Sequence, residues 1–300
     1  MVNSGILLVD KPQGITSHDA VARVRRAAGT RKVGHAGTLD PLATGLLVLG
    51  LNSSTRLLTF LVGLDKGYDA TIRLGVSTTS DDSDGDVIER VSAADVDDAA
   101  VDAGVAALTG PISQVPTTVS AIKVGGRRAY DLAREGVEVE LTARDVTITE
   151  FAVLDRRESV VDGLLVRDLD VRVSCTSGTY VRALARDLGA ALGVGGHLTA
   201  LRRTRVGPFD VRSASVLEGI DVAPALIPPA AVAETLFPVW RMTAGETVDL
   251  GHGKRVAVER ADTEGPLAAL TPAGALAGLV SVRGGRAKPI VNFPTDEVVS

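Results

Sequence analysis

Among the acids of this 300-residue chain, Asp40 stands apart by its surroundings. It lies in the run Gly34-His35-Ala36-Gly37-Thr38-Leu39-Asp40-Pro41-Leu42-Ala43-Thr44-Gly45-Leu46, with glycines on either side and no lysine or arginine within the segment. Pro41 biases Asp40 toward extended backbone, and the glycines permit turns and close approaches that a side chain would block. The segment therefore reads as a rigid loop presenting one carboxylate, suited to act as a nucleophile or a base. A lone aspartate otherwise most often caps a helix or joins a surface ion pair. Hydrolysis of a glycosidic bond by paired carboxylates wants a second acid at a fixed distance, and none accompanies Asp40 in its segment. The chain has no phosphate loop ending in Gly-Lys-Ser/Thr, no His-Glu-x-x-His and no pair of cysteines, and His18, His35, His197 and His252 are scattered. These patterns call for neither a metal nor another cofactor.

The same segment resembles the catalytic motif of the TruB family of tRNA pseudouridine-55 synthases, Gly-His-x-Gly-x-Leu-Asp-Pro-x-Ala-x-Gly. Further stretches match in family order: Asp10-Lys11-Pro12-Gln13-Gly14-Ile15-Thr16-Ser17, Lys66-Gly67-Tyr68, Ser174-Cys175-Thr176-Ser177-Gly178-Thr179-Tyr180-Val181-Arg182 and Leu201-Arg202-Arg203. Five ordered matches lie well outside the false-positive risk of one short motif. The resemblance implies an isomerase that flips a uridine of the tRNA T-loop out of its stack, detaches the base at N1 and rejoins it through C5, without a cofactor. It implies Asp40 as the essential carboxylate and Tyr68 as a stacking ring whose hydroxyl assists removal of the C5 proton. Arg182 would be the cation that keeps Asp40 ionised. His35, Tyr180, Lys11, Leu201, Arg202 and Arg203 would face substrate or RNA, with Lys11-Pro12 and Gln114-Val115-Pro116 also readable as scaffolding of the site floor. Thr117 stands where many relatives have a second proline, a departure that bears on loop geometry rather than chemistry.

The fold that the resemblance implies is α/β of the α+β type: a catalytic body over residues 1–235 on a mixed, mainly antiparallel sheet, then a small PUA-like β-barrel over 236–300. A basic insertion at about 123–150, with Lys123, Arg127, Arg128, Tyr130, Arg134 and Arg144, would be a lid over RNA. The expected partner is tRNA through its T-arm, with no membrane and no obligate protein partner, for a monomer in the cytoplasm. A tRNA-folding or RNA-binding factor on the same scaffold is the alternative, which the intact set Asp40, Tyr68 and Arg182 disfavours.

Physical chemistry adds constraints of its own. Burial would raise the pKa of Asp40 above about 3.9, and a nearby cation would lower it. An arginine in the first turn of a helix opposes the helix dipole, so Arg182 needs an anion there. One cysteine, Cys175, allows no internal disulfide, which fits a reducing compartment. The net charge of −5 conceals a strong asymmetry: nine acids and one base lie between Asp81 and Asp102, a stretch that reads as a polar loop running into a helix. Bases outnumber acids around Arg23, Arg25, Arg26, Arg31 and Lys32 and again around Arg182, Arg186, Arg202, Arg203 and Arg205, and local field rather than net charge attracts phosphates.

Elements follow from periodicity and caps. Ile6 to Val9 reads as a buried strand, followed by a helix opening near Ser17 and stopped by Gly29, with Arg23 and Arg26 on its face. Leu46 to Leu51 reads as a core strand, and Asp69 to Leu74 as a half-buried one with Tyr68 at its entrance. Leu169 to Cys175 alternates likewise, and Thr179 is the expected cap of a helix whose apolar stripe is Leu184, Leu188 and Leu192, ended by Gly193. Pro224 to Pro238 separates this body from the tail, in which Trp240 is expected in the barrel core.

Overall fold

The computed structural model describes residues 3–118, 123–124, 127–128 and 141–294. Tyr130 and Arg134 of the expected lid lie outside the described residues. The first elements are β1 (Gly5–Lys11), α1 (Ser17–Ala28), β2 (Val33–His35), β3 (Thr44–Leu51), α2 (Leu58–Val62), β4 (Lys66–Leu74), β5 (Val76–Thr78), β6 (Val87–Arg90), α3 (Asp98–Ala107) and β7 (Gly110–Gln114). After the short pair β8 (Lys123–Val124) and β9 (Arg127–Arg128) come β10 (Arg144–Val161), β11 (Leu164–Cys175), α4 (Val181–Ala191), β12 (Gly196–Val206), β13 (Phe209–Asp210) and β14 (Ser215–Val216). The remainder is α5 (Val222–Ala225), α6 (Pro229–Leu236), β15 (Val239–Arg241), α7 (Ala244–Gly251), β16 (Val256–Ala257), β17 (Leu267–Leu270), β18 (Leu276–Arg283) and β19 (Arg286–Asn292).

The chain divides into two compact units. One comprises Met1–Asp40, Leu46–Val62 and Pro208–Ser300; the other comprises Pro41–Gly45 and Gly63–Gly207. In the first, β1 runs parallel to β14, and β2 runs antiparallel to β3 with His35 opposite Leu49. Helix α1 starts where expected, because Thr16 and Asp19 cap each other's backbone in a reciprocal box, and it stops at Gly29 with φ 64°. The C-terminal stretch of this unit builds a five-stranded sheet in the order β15-β17-β18-β19-β16. Trp240, Met242, Leu250, Leu267 and Val280 pack in its core, as a small barrel-like module requires.

The second unit is an antiparallel array in the order β7-β10-β11-β4-β12. The edge position of β7 accommodates Pro111, which cannot donate to a ladder. Beyond β12 the pairing turns parallel, with Thr44 and Gly45 beside Arg202 and Arg203. A mixed but mainly antiparallel sheet is thus present, as expected. Two local expectations are corrected. Tyr68 is the third residue of β4 rather than its entrance. The residue preceding α4 is Tyr180, not Thr179, whose hydroxyl turns back to the Thr176 carbonyl at 2.9 Å.

Gly45 is the residue that allows β3 to start beside β12. Its φ is 97°, and a Cβ there would stand 2.3 Å from the Arg203 carbonyl oxygen and 2.8 Å from the Arg203 nitrogen. Gly45→Ala should therefore cost about 3 kcal/mol, combining left-handed strain with a backbone clash. Gly163 has φ 79° but open space around it, so Gly163→Ala should cost only about 1 kcal/mol. Denaturant unfolding of the two variants measures both; equal losses would mean that the close approach at Gly45 is relieved by shifting strands.

Candidate active site

The Asp40 loop is gripped on its N-terminal side by the first residue of α1. The Ser17 hydroxyl, fully buried, donates to the Leu39 carbonyl at 3.1 Å and accepts from the Leu39 amide at 2.8 Å. The neighbouring residue therefore cannot drift, and Asp40 itself is half-buried. His35 ends β2 and meets His18 of α1 edge to face, with ring centres 5.6 Å apart. Lys11 is fully buried and its ammonium donates to the carbonyls of Pro12 at 3.0 Å and Ile15 at 2.8 Å. That geometry makes Lys11 a clamp on the turn after β1, which favours its reading as scaffolding over that as an RNA contact.

In the second unit, strand register collects several of the expected residues on one face. Tyr68 of β4 lies opposite Val173 of β11 and Arg203 of β12, and Ala70 lies opposite Leu201. Directly paired residues share a sheet face, so Tyr68, Leu201 and Arg203 stand together, with Lys66 two residues away on the same side. Arg203 is only 2% exposed, so it is not a solvated phosphate contact. Arg202, opposite Asp69, takes the other face and reaches the Thr44 hydroxyl at 3.4 Å. Lys66 pairs with Cys175 across β4 and β11. Burial, with the Arg203 charge adding to it, pulls the Lys66 ammonium down to about 8, and burial pushes the Cys175 thiol up to about 11.

Helix α4 opens with Tyr180, whose backbone makes two bonds to the Gln114 side chain, at 3.1 and 2.9 Å. An amide side chain from β7 thus anchors the backbone of the residue that precedes α4, and no side chain caps the first turn of the helix. One residue into the helix, Arg182 is 4% exposed; its Nη1 donates to the Ser80 carbonyl at 2.8 Å and lies 3.2 Å from an Asp82 oxygen. Asp82 is 3% exposed, accepts from the Ser80 hydroxyl, and accepts from the Asp84 amide at 3.1 Å. The anion demanded by an arginine at a helix start is therefore present, and Asp82 is a residue that the sequence reading missed. Its neighbours Thr78, Ser80 and Asp84 were the available signal, because a cluster of short polar side chains folds a loop upon itself. Within the acidic stretch 81–102, Asp81 and Asp82 are turned inward, while Asp97 caps α3 by accepting from the Ala100 amide at 2.7 Å.

Asp81 adopts φ 60° and faces Arg186, one turn further along α4, at 3.2 Å. Burial outweighs the attraction of Arg186 and Arg182, with Asp187 and Asp82 adding repulsion, and lifts the Asp81 carboxyl to about 6. A carboxyl raised in the folded state stabilises the fold below its unfolded value of about 4, and that contribution is lost as the pH rises through about 6.

Comparison with known proteins gives a consistent result. Three family models match in sequence: the TruB family pseudouridylate synthase N-terminal domain over residues 25–181, a tRNA pseudouridylate synthase B C-terminal domain over 182–235, and a tRNA pseudouridine synthase II C-terminal model over 237–294. The tRNA pseudouridine synthase B of Leifsonia xyli subsp. xyli is 58% identical over 306 residues, covering 99% of each chain. That of Thermobifida fusca is 54% identical over 290 residues, covering 96% of this chain and 98% of the relative. Among solved structures, a chain of an H/ACA RNP bound to a substrate RNA containing 2′-deoxyuridine matches with a TM-score of 0.71 at 24% identity, over 98% of this chain and 87% of that one. A Cbf5-Nop10-Gar1 complex gives 0.70 at 26% identity, over 97% and 86%.

The buried ion pair sets a stability test. Asp82→Ala strips Arg182 of a counter-charge and should lower unfolding stability by about 3 kcal/mol. Urea unfolding measures it; a loss below about 1 kcal/mol would mean that Arg182 satisfies its charge without Asp82.

Proposed function

The chain belongs to the TruB family of pseudouridylate synthases, and from that premise we propose that it isomerises uridine-55 in the T-loop of tRNA to pseudouridine. The reaction conserves atoms: the N1–C1′ bond breaks, a C5–C1′ bond forms, and the proton lost at C5 balances the one gained at N1. Its demands are an ionised carboxylate, an extruded base and a pocket that holds the detached uracil. The observation that carries this reading is the Asp40 loop, fixed by Ser17 on one side and followed by the obligatory Gly45 on the other. A nucleophile in such a loop is positioned before substrate arrives, which lowers the entropic part of the barrier.

In this reading Asp40 attacks the nucleoside and Arg182 supplies the cation that keeps it ionised. Tyr68 stacks on the flipped base, a contact of about 1–3 kcal/mol, and its hydroxyl assists removal of the C5 proton. Leu201 shares the Tyr68 face and supplies apolar surface to the same base. His35 contacts the extruded nucleotide, and Tyr180 packs where α4 begins. Exposed Arg23, Arg26 and Arg31 are the phosphate contacts we favour, with Arg202 beside them in role. Residues 1–235 would form the catalytic body and 236–300 the PUA-like RNA-binding module. The enzyme would act as a cytoplasmic monomer on the T-arm.

Asp40→Asn preserves shape and removes the charge. Because Arg182 keeps Asp82, this variant should fold and bind tRNA as wild type does, yet form no pseudouridine in a chemical assay of unmodified tRNA. Turnover by a preparation proved free of deamidated Asp40 would overturn the mechanism. Tyr68→Phe should bind tRNA and lose turnover at the proton-removal step, whereas full activity would assign Tyr68 to packing.

Binding should fall with ionic strength along a log-log slope of several units. Arg23→Glu with Arg26→Glu should make that slope shallower by about one unit for each phosphate that the variant no longer neutralises. An unchanged slope would place the phosphates on another surface.

A further inference from the structure

Two arginines one turn apart on α4, Arg182 and Arg186, engage two consecutive aspartates, Asp82 and Asp81. Residues four apart on a helix share a face, but consecutive loop residues ordinarily point apart. Asp81 overcomes this by taking φ 60°, a conformation that a residue with a Cβ adopts at a cost. The same bend sends its carbonyl to the Leu198 amide of β12 at 3.0 Å and its amide to the Thr78 carbonyl at 3.3 Å. Arg186 completes the junction: it reaches Asp187 at 2.9 Å and donates to the Val115 carbonyl, just beyond β7, at 2.7 Å. Helix, strand and loop are tied at one point, and none of the chemistry assigned to Asp40, Tyr68 or Arg182 uses it.

A carboxylate so placed weakens the fold at neutral pH, since burial raises its pKa, and a strained backbone adds to the cost. Stability alone therefore does not account for this placement, and a local cost of this kind is what functional sites carry. Without the Asp81 carboxylate, the loop would meet α4 through one side chain, Arg182, at the Asp82 carboxylate and the Ser80 carbonyl, and could rotate about that guanidinium. A second pair one helical turn away removes that rotation. We propose that the Asp81–Arg186 pair is a positioning device for pseudouridine formation, fixing the loop that in turn orients the Arg182 guanidinium. The inference rests on the reading that Arg182 serves the Asp40 carboxylate.

Kinetics on unmodified tRNA test it with Asp81→Asn, Arg186→Met and the double variant, beside Arg182→Met. Both single variants should lose kcat by about 10- to 100-fold, the size of a small misplacement, with KM for tRNA nearly unchanged. The double variant should lose no more than the worse single one, because each substitution breaks the same unit. Arg186→Lys should recover part of the loss. Asp81→Asn should unfold at the same temperature as wild type or higher, since the buried charge is gone. The groups facing Asp81 are Arg186, Arg182, Asp187 and Asp82. As pH falls through about 6, Asp81 gains a proton and loosens from Arg186, so the wild-type kcat profile should carry an acid limb there that Asp81→Asn lacks.

Unchanged kcat in Asp81→Asn, a kcat loss that merely follows a drop in melting temperature, or additive losses would each overturn the proposal. Wild-type turnover by Arg182→Met would instead sink the reading on which it rests.

Discussion

Arg182 and Asp82 are two charges taken almost wholly out of water, and the local chain is arranged around satisfying them. At 3.2 Å their attraction is about 5 kcal/mol at a typical effective dielectric. Desolvation costs several kcal/mol for each ion, so attraction alone does not hold the pair. The difference is made up by hydrogen bonds: the Ser80 carbonyl to Arg182, the Ser80 hydroxyl and the Asp84 amide to Asp82. Within the loop between β5 and β6, Ser80, Asp81, Asp82 and Asp84 are therefore the residues whose identity the arginine contacts fix. What appears along the chain as an acidic, solubilising stretch is in part the interior lining of an arginine site.

The sequence carried much of this and concealed a definable remainder. The ends of α1 were legible because capping and glycine signals are local, and β4 and β11 because their apolar residues alternate. The need of Arg182 for an anion was legible from the helix dipole alone, but its identity was not, because Asp82 lies a hundred residues upstream and joins it only through the fold. Arg203 misled for the opposite reason. A basic residue in a basic run looks solvated, and only strand register shows that the cation is buried. Gln114 holding the backbone of Tyr180, where a neighbouring threonine was the expected cap, is a further case of a distant side chain acting where a local one was expected.

A division of labour follows for the residues of the proposed mechanism. Rigid backbone contacts, Ser17 on Leu39 and Gly45 against Arg203, define where the Asp40 segment begins and ends. Side-chain electrostatics, concentrated on α4 and the Ser80–Asp82 loop, define the charge that the proposed reaction draws on. The first kind of constraint is insensitive to pH and salt. The second responds to protonation, so the two can be separated experimentally although both concern the same reaction.

Cys175 gives the chain an independence that its composition does not announce. The one sulfhydryl faces Lys66 from the adjoining strand, lies 1% exposed, and has its proton held to about pH 11. Oxidants and electrophiles react with the thiolate, which at neutral pH is a minute fraction of an already inaccessible group. A swing in redox poise therefore finds no reactive thiol on the folded chain.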